Sequence, residues 1–217
     1  GVQTCALPIY RWTHGIVARV FSQETIEELA RWSNVPVINA LSDLYHPCQS
    51  LADMQTIQER FGAFEGRKLA FVGDGNNVAH SLMLNGTRLG MEIAVASPKG
   101  YEPNAQITEQ ARAFGKVTIT NDPAEAVAGA DAIYTDVWAS MGQESEAAER
   151  KRIFAPYQVN EELLAQAKKS AIFMHCLPAK RGQEVTDGVM ESPQSAAFDQ
   201  AENRLHAQKA LLVMLLG

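Results

Sequence analysis

The chain has 217 residues, enough for one good core or for two lobes of about a hundred residues each. Nineteen Lys and Arg stand against 25 Asp and Glu, a net charge of -6 with no long basic run, which argues against a nucleic-acid or anionic-membrane surface. The longest apolar run, ALLVMLL at 210–216, falls far short of the roughly 20 residues a bilayer span needs, so a soluble protein is expected.

The first nine residues, GVQTCALPI, lack the charged-then-apolar layout of a secretory signal and run into YRWTHGIVARV without a turn. Residues 1–9 are therefore expected to be a foreign or disordered head. Strands are expected at 15–21, 35–40, 68–73, 91–97, 116–120, 131–136 and 170–175, where short apolar runs end in turn residues. Between them SQETIEELARW, HPCQSLADMQTIQERF, NNVAHSLMLNGTRLG, EPNAQITEQARAFG, PAEAVAGA and NEELLAQAKK carry helical periodicity or good helix formers. Strand then helix, repeated, argues for an α/β fold with a mostly parallel sheet. The helix from His46 to Phe61 has Pro47 in its first turn and an apolar stripe at Leu51, Met54, Ile57 and Phe61, a length and pattern suited to joining two lobes. Gly62 to Gly66 is the expected hinge. From Ser192 onward, Phe198, Ala201, Leu205, Leu212 and Leu216 recur at helical spacing and predict a long amphipathic helix. Cys5, Cys48 and Cys176 show no paired spacing, so a reducing, cytoplasmic compartment is expected.

Several loops at predicted strand ends carry chemistry-bearing side chains. FVGDGNNVAHS sets Gly73 and Gly75 between a strand and a helix, but a dinucleotide fingerprint wants a third glycine where Val78 stands, and Asn76 and Asn77 crowd the pyrophosphate position. A tight turn needs only the two glycines; the Asn amides offer a third reading, a grip on a small polar ligand. YTDVWASMGQESE ends a strand at Asp136, where a carboxylate suits a ligand ammonium group and equally a turn cap, and a loop with Ser140 and Met141 follows. LYHPCQ opens a helix with His46 and Gln49 three residues apart, beside backbone N–H groups that favour anions, though a cap is the plainer role for His46. VARVF holds Arg19, a charge in an apolar pattern that needs an anionic partner if buried. In FMHCLPAKRGQEV, His175 and Cys176 are adjacent in extended chain and point to opposite faces, so neither a thiol-protease pair nor a metal site is expected there. AENRLH adds Arg204, either a solvated charge or a ligand contact.

Taken in order and at these spacings, HPCQ, GDGNN, DVWASMG, HCLP and AENR closely resemble the ornithine carbamoyltransferases, from about Tyr10 to Gly217, and DVWASMG with HCLP is nearer the ornithine than the aspartate branch of that superfamily. The resemblance implies transfer of the carbamoyl group of carbamoyl phosphate to the δ-amine of ornithine, giving citrulline and phosphate, with no metal or organic cofactor. It implies that Arg19, His46, Gln49, Arg204 and the Cys176–Leu177 stretch hold carbamoyl phosphate and that Asn77, Asp136, Ser140 and Met141 hold ornithine. Cys176, matched to the position given the proton-acceptor role, joins His46 and Arg19 as the catalytic set. The implied architecture is a Rossmann-like ornithine-binding domain at 62–191, the remnant of a second α/β domain for carbamoyl phosphate at 10–45, an interdomain helix at 46–61, and a C-terminal helix over 192–217 that returns to the first domain. The family's STRT-type phosphate loop does not occur in this sequence, so weakened carbamoyl-phosphate binding is expected. The expected partners are the two small substrates, not nucleic acid or membrane; family trimers form through the first lobe, which leaves the oligomeric state of this chain open. The rival readings are another acceptor amine (acetylornithine or putrescine), a non-catalytic amino-acid-binding module, and a nicotinamide-dependent Rossmann enzyme, against which Val78 stands.

Overall fold

In the computed structural model, which describes residues 1–139 and 144–217, strands and helices alternate along the chain. The amino-terminal part runs α1 (Val2–Ile9), β1 (Ile16–Arg19), α2 (Gln23–Trp32), β2 (Val37–Leu41) and α3 (Pro47–Phe61). The larger part runs β3 (Lys68–Val72), α4 (Asn77–Arg88), β4 (Glu92–Ala96), α5 (Ala105–Arg112), β5 (Val117–Thr120), α6 (Pro123–Val127) and β6 (Ala132–Thr135). It continues through α7 (Ala147–Phe154), α8 (Glu161–Leu164), β7 (Ile172–His175), α9 (Asp187–Met190) and the 20-residue α10 (Ala197–Leu216). No helix of the described residues is long and apolar enough to cross a membrane.

β1 and β2 form a two-stranded parallel sheet, and the other strands form a five-stranded parallel sheet in the order β5-β4-β3-β6-β7. Chain order reverses between β3 and β6, the switch point at whose carboxyl ends open α/β sheets bind ligands. Successive residues of each strand alternate between the sheet's two faces. Leu69, Phe71, Ile93, Val95, Tyr134 and Met174 join Ile57, Val78, Leu82 and Met83 on one side; Ala70, Val72, Ala94, Ile133 and Phe173 join Val127, Leu163, Leu164 and Val189 on the other. Both faces are covered, which explains strands that read as near-continuous apolar runs. Side-chain oxygens of Asn76, Asn104, Asp122 and Asn160 cap the helices that follow them and fix where each begins.

The structure differs from the sequence reading at several points. The head expected to be foreign or disordered is helix α1, with Ala6 fully buried and the helix packed against α2. Helices α7 and α9 form where none was expected, and α8 is only the first part of NEELLAQAKK. The apolar stripe read for the last helix does not face inward. Phe198, Leu205, Leu212 and Leu216 are exposed, whereas Gln200, Asn203 and Ala207 are buried. The reason is that α10 packs on α3 through hydrogen-bonding side chains: Asn203 meets Gln55, Thr56 and Glu59, and Arg60 pairs with Asp199. Near the end of α10 the Leu216 side chain lies over Gly15.

Candidate active site

The ends of β3, β6 and β7 bring GDGNN, Asp136 and HCLP together. Asp136 Oδ1 accepts from its neighbour Val137 N–H at 2.7 Å and from the Cys176 thiol at 3.0 Å, and Oδ2 accepts from Asn76 Nδ2 at 2.9 Å. Burial, and then the Asp136 carboxylate, hold the Cys176 pKa well above the ordinary thiol value. Cys176 is thus a thiol that donates to Asp136, not a resting thiolate. Asn76 spends its oxygen on capping α4, while Asn77 Nδ2 donates to the Ser42 carbonyl at 2.7 Å, across to the segment that leads into α3. Gly75 is required by contact: a Cβ there would lie 2.2 Å from Pro103 N, and its N–H donates to the Tyr101 carbonyl. Chain segment 101–103 therefore lies where a dinucleotide pyrophosphate would approach. Ser140 and Met141 fall outside the described residues.

His175 and Cys176 diverge as their adjacency requires. His175 is fully buried; its Nδ1 accepts from Leu177 N–H at 2.9 Å, so in the neutral ring Nε2 carries the proton and faces Glu184 Oε1 at 3.3 Å. Glu184 also accepts from Lys180 N–H. These contacts hold Leu177 at φ 54, a left-handed conformation that costs a non-glycine residue on the order of 1 kcal/mol or more. A cis Leu177–Pro178 bond follows. The Lys180 and Arg181 side chains extend outward, Arg181 pairing with Asp187 and Glu191.

The cationic half of the site comes from the other lobe and the last helix. Segment 42–46 is tied to α4 by Asn77, by His80 Nδ1 on the Leu44 carbonyl at 2.9 Å, and by His46 N–H on Ser81 Oγ at 2.8 Å. His46 makes no capping bond with its side chain; its buried Nδ1 has no hydrogen-bond partner. Burial, then Arg204, then Arg19 lower its pKa to about 4, so the imidazole is neutral near pH 7. Arg19 is exposed at the end of β1, not buried as its apolar pattern had raised for consideration, because strand alternation puts it on the same outer face as the exposed Val17. Arg204 is not a solvated surface charge: it donates to Gln49 Oε1 at 2.6 Å, and its buried Nε has no hydrogen-bond partner. The unspent His46 Nδ1 and Arg204 Nε, with the Arg19 guanidinium close enough to act on His46, are suited to an oxyanion.

Several residues that shape the site were not legible beforehand. Asp53, fully buried, gathers Gln49, Gln200 and Tyr134 around one oxygen, and burial raises its pKa to about 7. Arg150 is buried against Asp74, the Trp138 carbonyl and the ring of Tyr101, which anchors α7 beside the GDG turn. Burial raises the Asp74 pKa to about 6 against the opposing pull of Arg150. In the sequence Arg150 sits in ERKR like any solvated charge. No sequence signal marked Asp53, and Leu51, read as part of the apolar α3 stripe, is exposed.

This arrangement has a family. Residues 65–215 match the aspartate/ornithine carbamoyltransferase Asp/Orn binding domain, and residues 2–59 match the carbamoyl-P binding domain of the same enzymes. The chain belongs to the aspartate/ornithine carbamoyltransferase family. Within that family, the ornithine carbamoyltransferase of Thermococcus kodakarensis is 58% identical over 212 residues, which cover 95% of this chain and 67% of that protein. The solved ornithine carbamoyltransferase of Pyrococcus furiosus superposes with a TM-score of 0.95 at 53% identity, over 100% of this chain and 71% of that one. That of Gloeobacter violaceus gives 0.93 at 48% identity, over 100% and 74%. The carbamoyl-P match begins at residue 2, so it takes in the head that had been set apart as foreign.

Proposed function

We propose that this chain transfers the carbamoyl group of carbamoyl phosphate to the δ-amine of L-ornithine, giving L-citrulline and phosphate. The observation that supports this reading is the hydrogen-bonded chain Arg204–Gln49–Asp53–Gln200–His175, which links the cationic set of His46, Arg19 and Arg204 to the carboxylate–thiol pair at Asp136 and Cys176. Both lie within the two matched domains. The reaction needs both halves. The neutral amine nitrogen forms a bond to the carbamoyl carbon, the bond from that carbon to the phosphate oxygen breaks, and phosphate leaves with the electron pair and takes up the proton that the nitrogen gives up. Arg19, Arg204 and neutral His46 hold the phosphoryl oxygens and the carbonyl oxygen as it gains charge. Gln49, its oxygen on Arg204, orients the carbamoyl amide. Asp136 takes the α-ammonium group of ornithine; Asn77, Ser140 and Met141 are assigned to the same substrate from their motifs alone, and the Cys176–Leu177 stretch serves the contact between substrates. A protonated Cys176 positions the attacking nitrogen; it accepts a proton only once ionised, a form that neutralising Asp136 with an ammonium group would favour. Placing both reactants in attack geometry supplies up to about 7–11 kcal/mol of the barrier reduction.

The test is citrulline formation by the 217-residue chain from ornithine and carbamoyl phosphate, with acetylornithine and putrescine as competing amines. Citrulline as the main product supports the reading. Preferred turnover of another amine would reassign the acceptor, and ornithine binding without any turnover would make the chain a binding module.

A further inference from the structure

Asp53 is a fully buried carboxylate on α3 whose hydrogen-bond partners among the described residues are Gln49, Gln200 and Tyr134. Its Oδ1 accepts from Gln49 Nε2 at 2.8 Å, from Gln200 Nε2 at 2.6 Å and from the Tyr134 hydroxyl at 3.4 Å, while the buried Oδ2 has no hydrogen-bond partner. Each of the two glutamines is committed at its other end. Gln49 Oε1 accepts from Arg204 at 2.6 Å, and Gln200 Oε1 accepts from the backbone N–H of His175 at 2.9 Å, next to Cys176. Gln200 Nε2 also donates to the Tyr134 hydroxyl at 3.0 Å, on β6 two residues before Asp136.

We infer that Asp53 is a positioning residue for carbamoyl transfer: its Oδ1 sets the amide orientation of Gln49 and ties it, through Gln200, to the strand end that carries Cys176. The inference rests on the carbamoyl-transfer reading. Amide orientation is otherwise a free choice of two states. Turned over, Gln49 would aim its NH2 at the Arg204 guanidinium, and Gln200 would aim its NH2 at the His175 N–H. Oδ1 prevents both by accepting one hydrogen from each. It does so whether the carboxyl is ionised or carries a proton on the unpartnered Oδ2, so the orienting role needs an acceptor and not a charge. Such a buried network, with one oxygen shared among several donors, ties the groups at its ends together.

The test is a double-variant cycle on the 217-residue chain, with Gln49→Ala, Asp53→Leu, their combination, and Asp53→Asn, each checked for folding by circular dichroism. Carbamoyl-phosphate binding is read by calorimetry, and the KM for each substrate by citrulline formation. Asp53→Leu is expected to weaken carbamoyl-phosphate binding about tenfold with the ornithine KM little changed. Asp53→Asn, which keeps an acceptor at Oδ1, is expected to restore binding to within about threefold. Asp53→Leu should add nothing in the Gln49→Ala background. Additive losses, or wild-type binding by a folded Asp53→Leu chain, would overturn the inference. If Asp53→Leu does not fold, the side-chain amide resonances of Gln49 and Gln200 decide it: both should move in Asp53→Asn, and unmoved signals would overturn it. A wild-type chain that binds no carbamoyl phosphate overturns the carbamoyl-transfer reading together with this inference; wild-type binding with an additive cycle overturns this inference alone.

Discussion

Helix α3 touches two regions of opposite character. Toward the sheet it presents Met54 and Ile57 to Leu69, Phe71 and Tyr134, a contact made of apolar surface and the stacked rings of Phe71 and Tyr134, 5.7 Å apart. Toward α10 it presents Gln49, Asp53 and Thr56, whose polar atoms meet Arg204, Gln200 and Asn203. Shape and area hold the first region, and it tolerates swaps that conserve volume. The second is held by donors and acceptors that must each be matched, so it specifies geometry. The candidate site residues Gln49 and Arg204 belong to the second.

The contrast is broken most strongly in the apolar region. Phe71→Ala, which removes a fully buried ring, should cost about 3–5 kcal/mol of unfolding free energy by urea denaturation. The ornithine affinity of the chain that remains folded should be little changed.

The polar groups should be visible instead in how stability depends on pH. Asp53 titrates near 7 when folded against 3.8 in a free chain, so the folded state holds the extra proton between those values, and stability present at low pH is lost as pH rises through 7. Relative to wild type, Asp53→Asn should gain on the order of 4 kcal/mol between pH 4 and pH 8. His46 has the opposite sign. Its folded pKa of about 4 lies below 6.5, so the unfolded state holds the extra proton, and stability present above pH 6.5 is lost as pH falls toward 4. Relative to wild type, His46→Gln should gain about 3 kcal/mol over that fall. Thermal unfolding across pH in the two variants checks both signs, and a shared sign would refute the assignment of one of them.

Smaller effects follow at the strand ends. Asp136→Asn should weaken ornithine binding about 10- to 100-fold, the worth of one hydrogen bond to a charged group, with an unchanged circular dichroism spectrum. Undiminished binding would remove Asp136 from the site. Arg181→Ala, which breaks exposed pairs with Asp187 and Glu191, should change neither stability nor turnover measurably.

What is legible in the sequence follows the same division. Apolar runs such as KLAFV and SAIFMH disclosed the strands because both faces of the sheet exclude water, and that requirement is written in each strand's own residues. The candidate site residues were reachable because strand ends and helix starts are marked by Gly, Pro, Asn and Asp, and because the motif order resembled a known family. The apolar stripe of α10 misled for a definite reason. Phe198 and Leu205 are apolar yet exposed, and the buried face is Gln200, Asn203 and Ala207, which look like surface in isolation. Periodicity assumes that buried means apolar, and the α3–α10 seam violates it. Arg150 and Glu184 escaped notice likewise, since nothing in ERKR or RGQEV tells a paired buried charge from a solvated one.

Sequence alone determined the alternation of strands and helices, the helix boundaries set by caps, and the positions of His46, Asp136 and Cys176 at element ends. Those properties depend on local periodicity and on residues that are neighbours in the chain. Tertiary structure decided which side chains share protons. Gln49 and Arg204 are 155 residues apart, Asp53 and Gln200 are 147 apart, and Asp136 and Cys176 are 40 apart, so each bond exists only after the sheet order and the docking of α10 on α3 are set. The state of Cys176 as a thiol and of His46 as a neutral ring was decided there too, because burial and neighbouring charges, not residue type, move their pKa values.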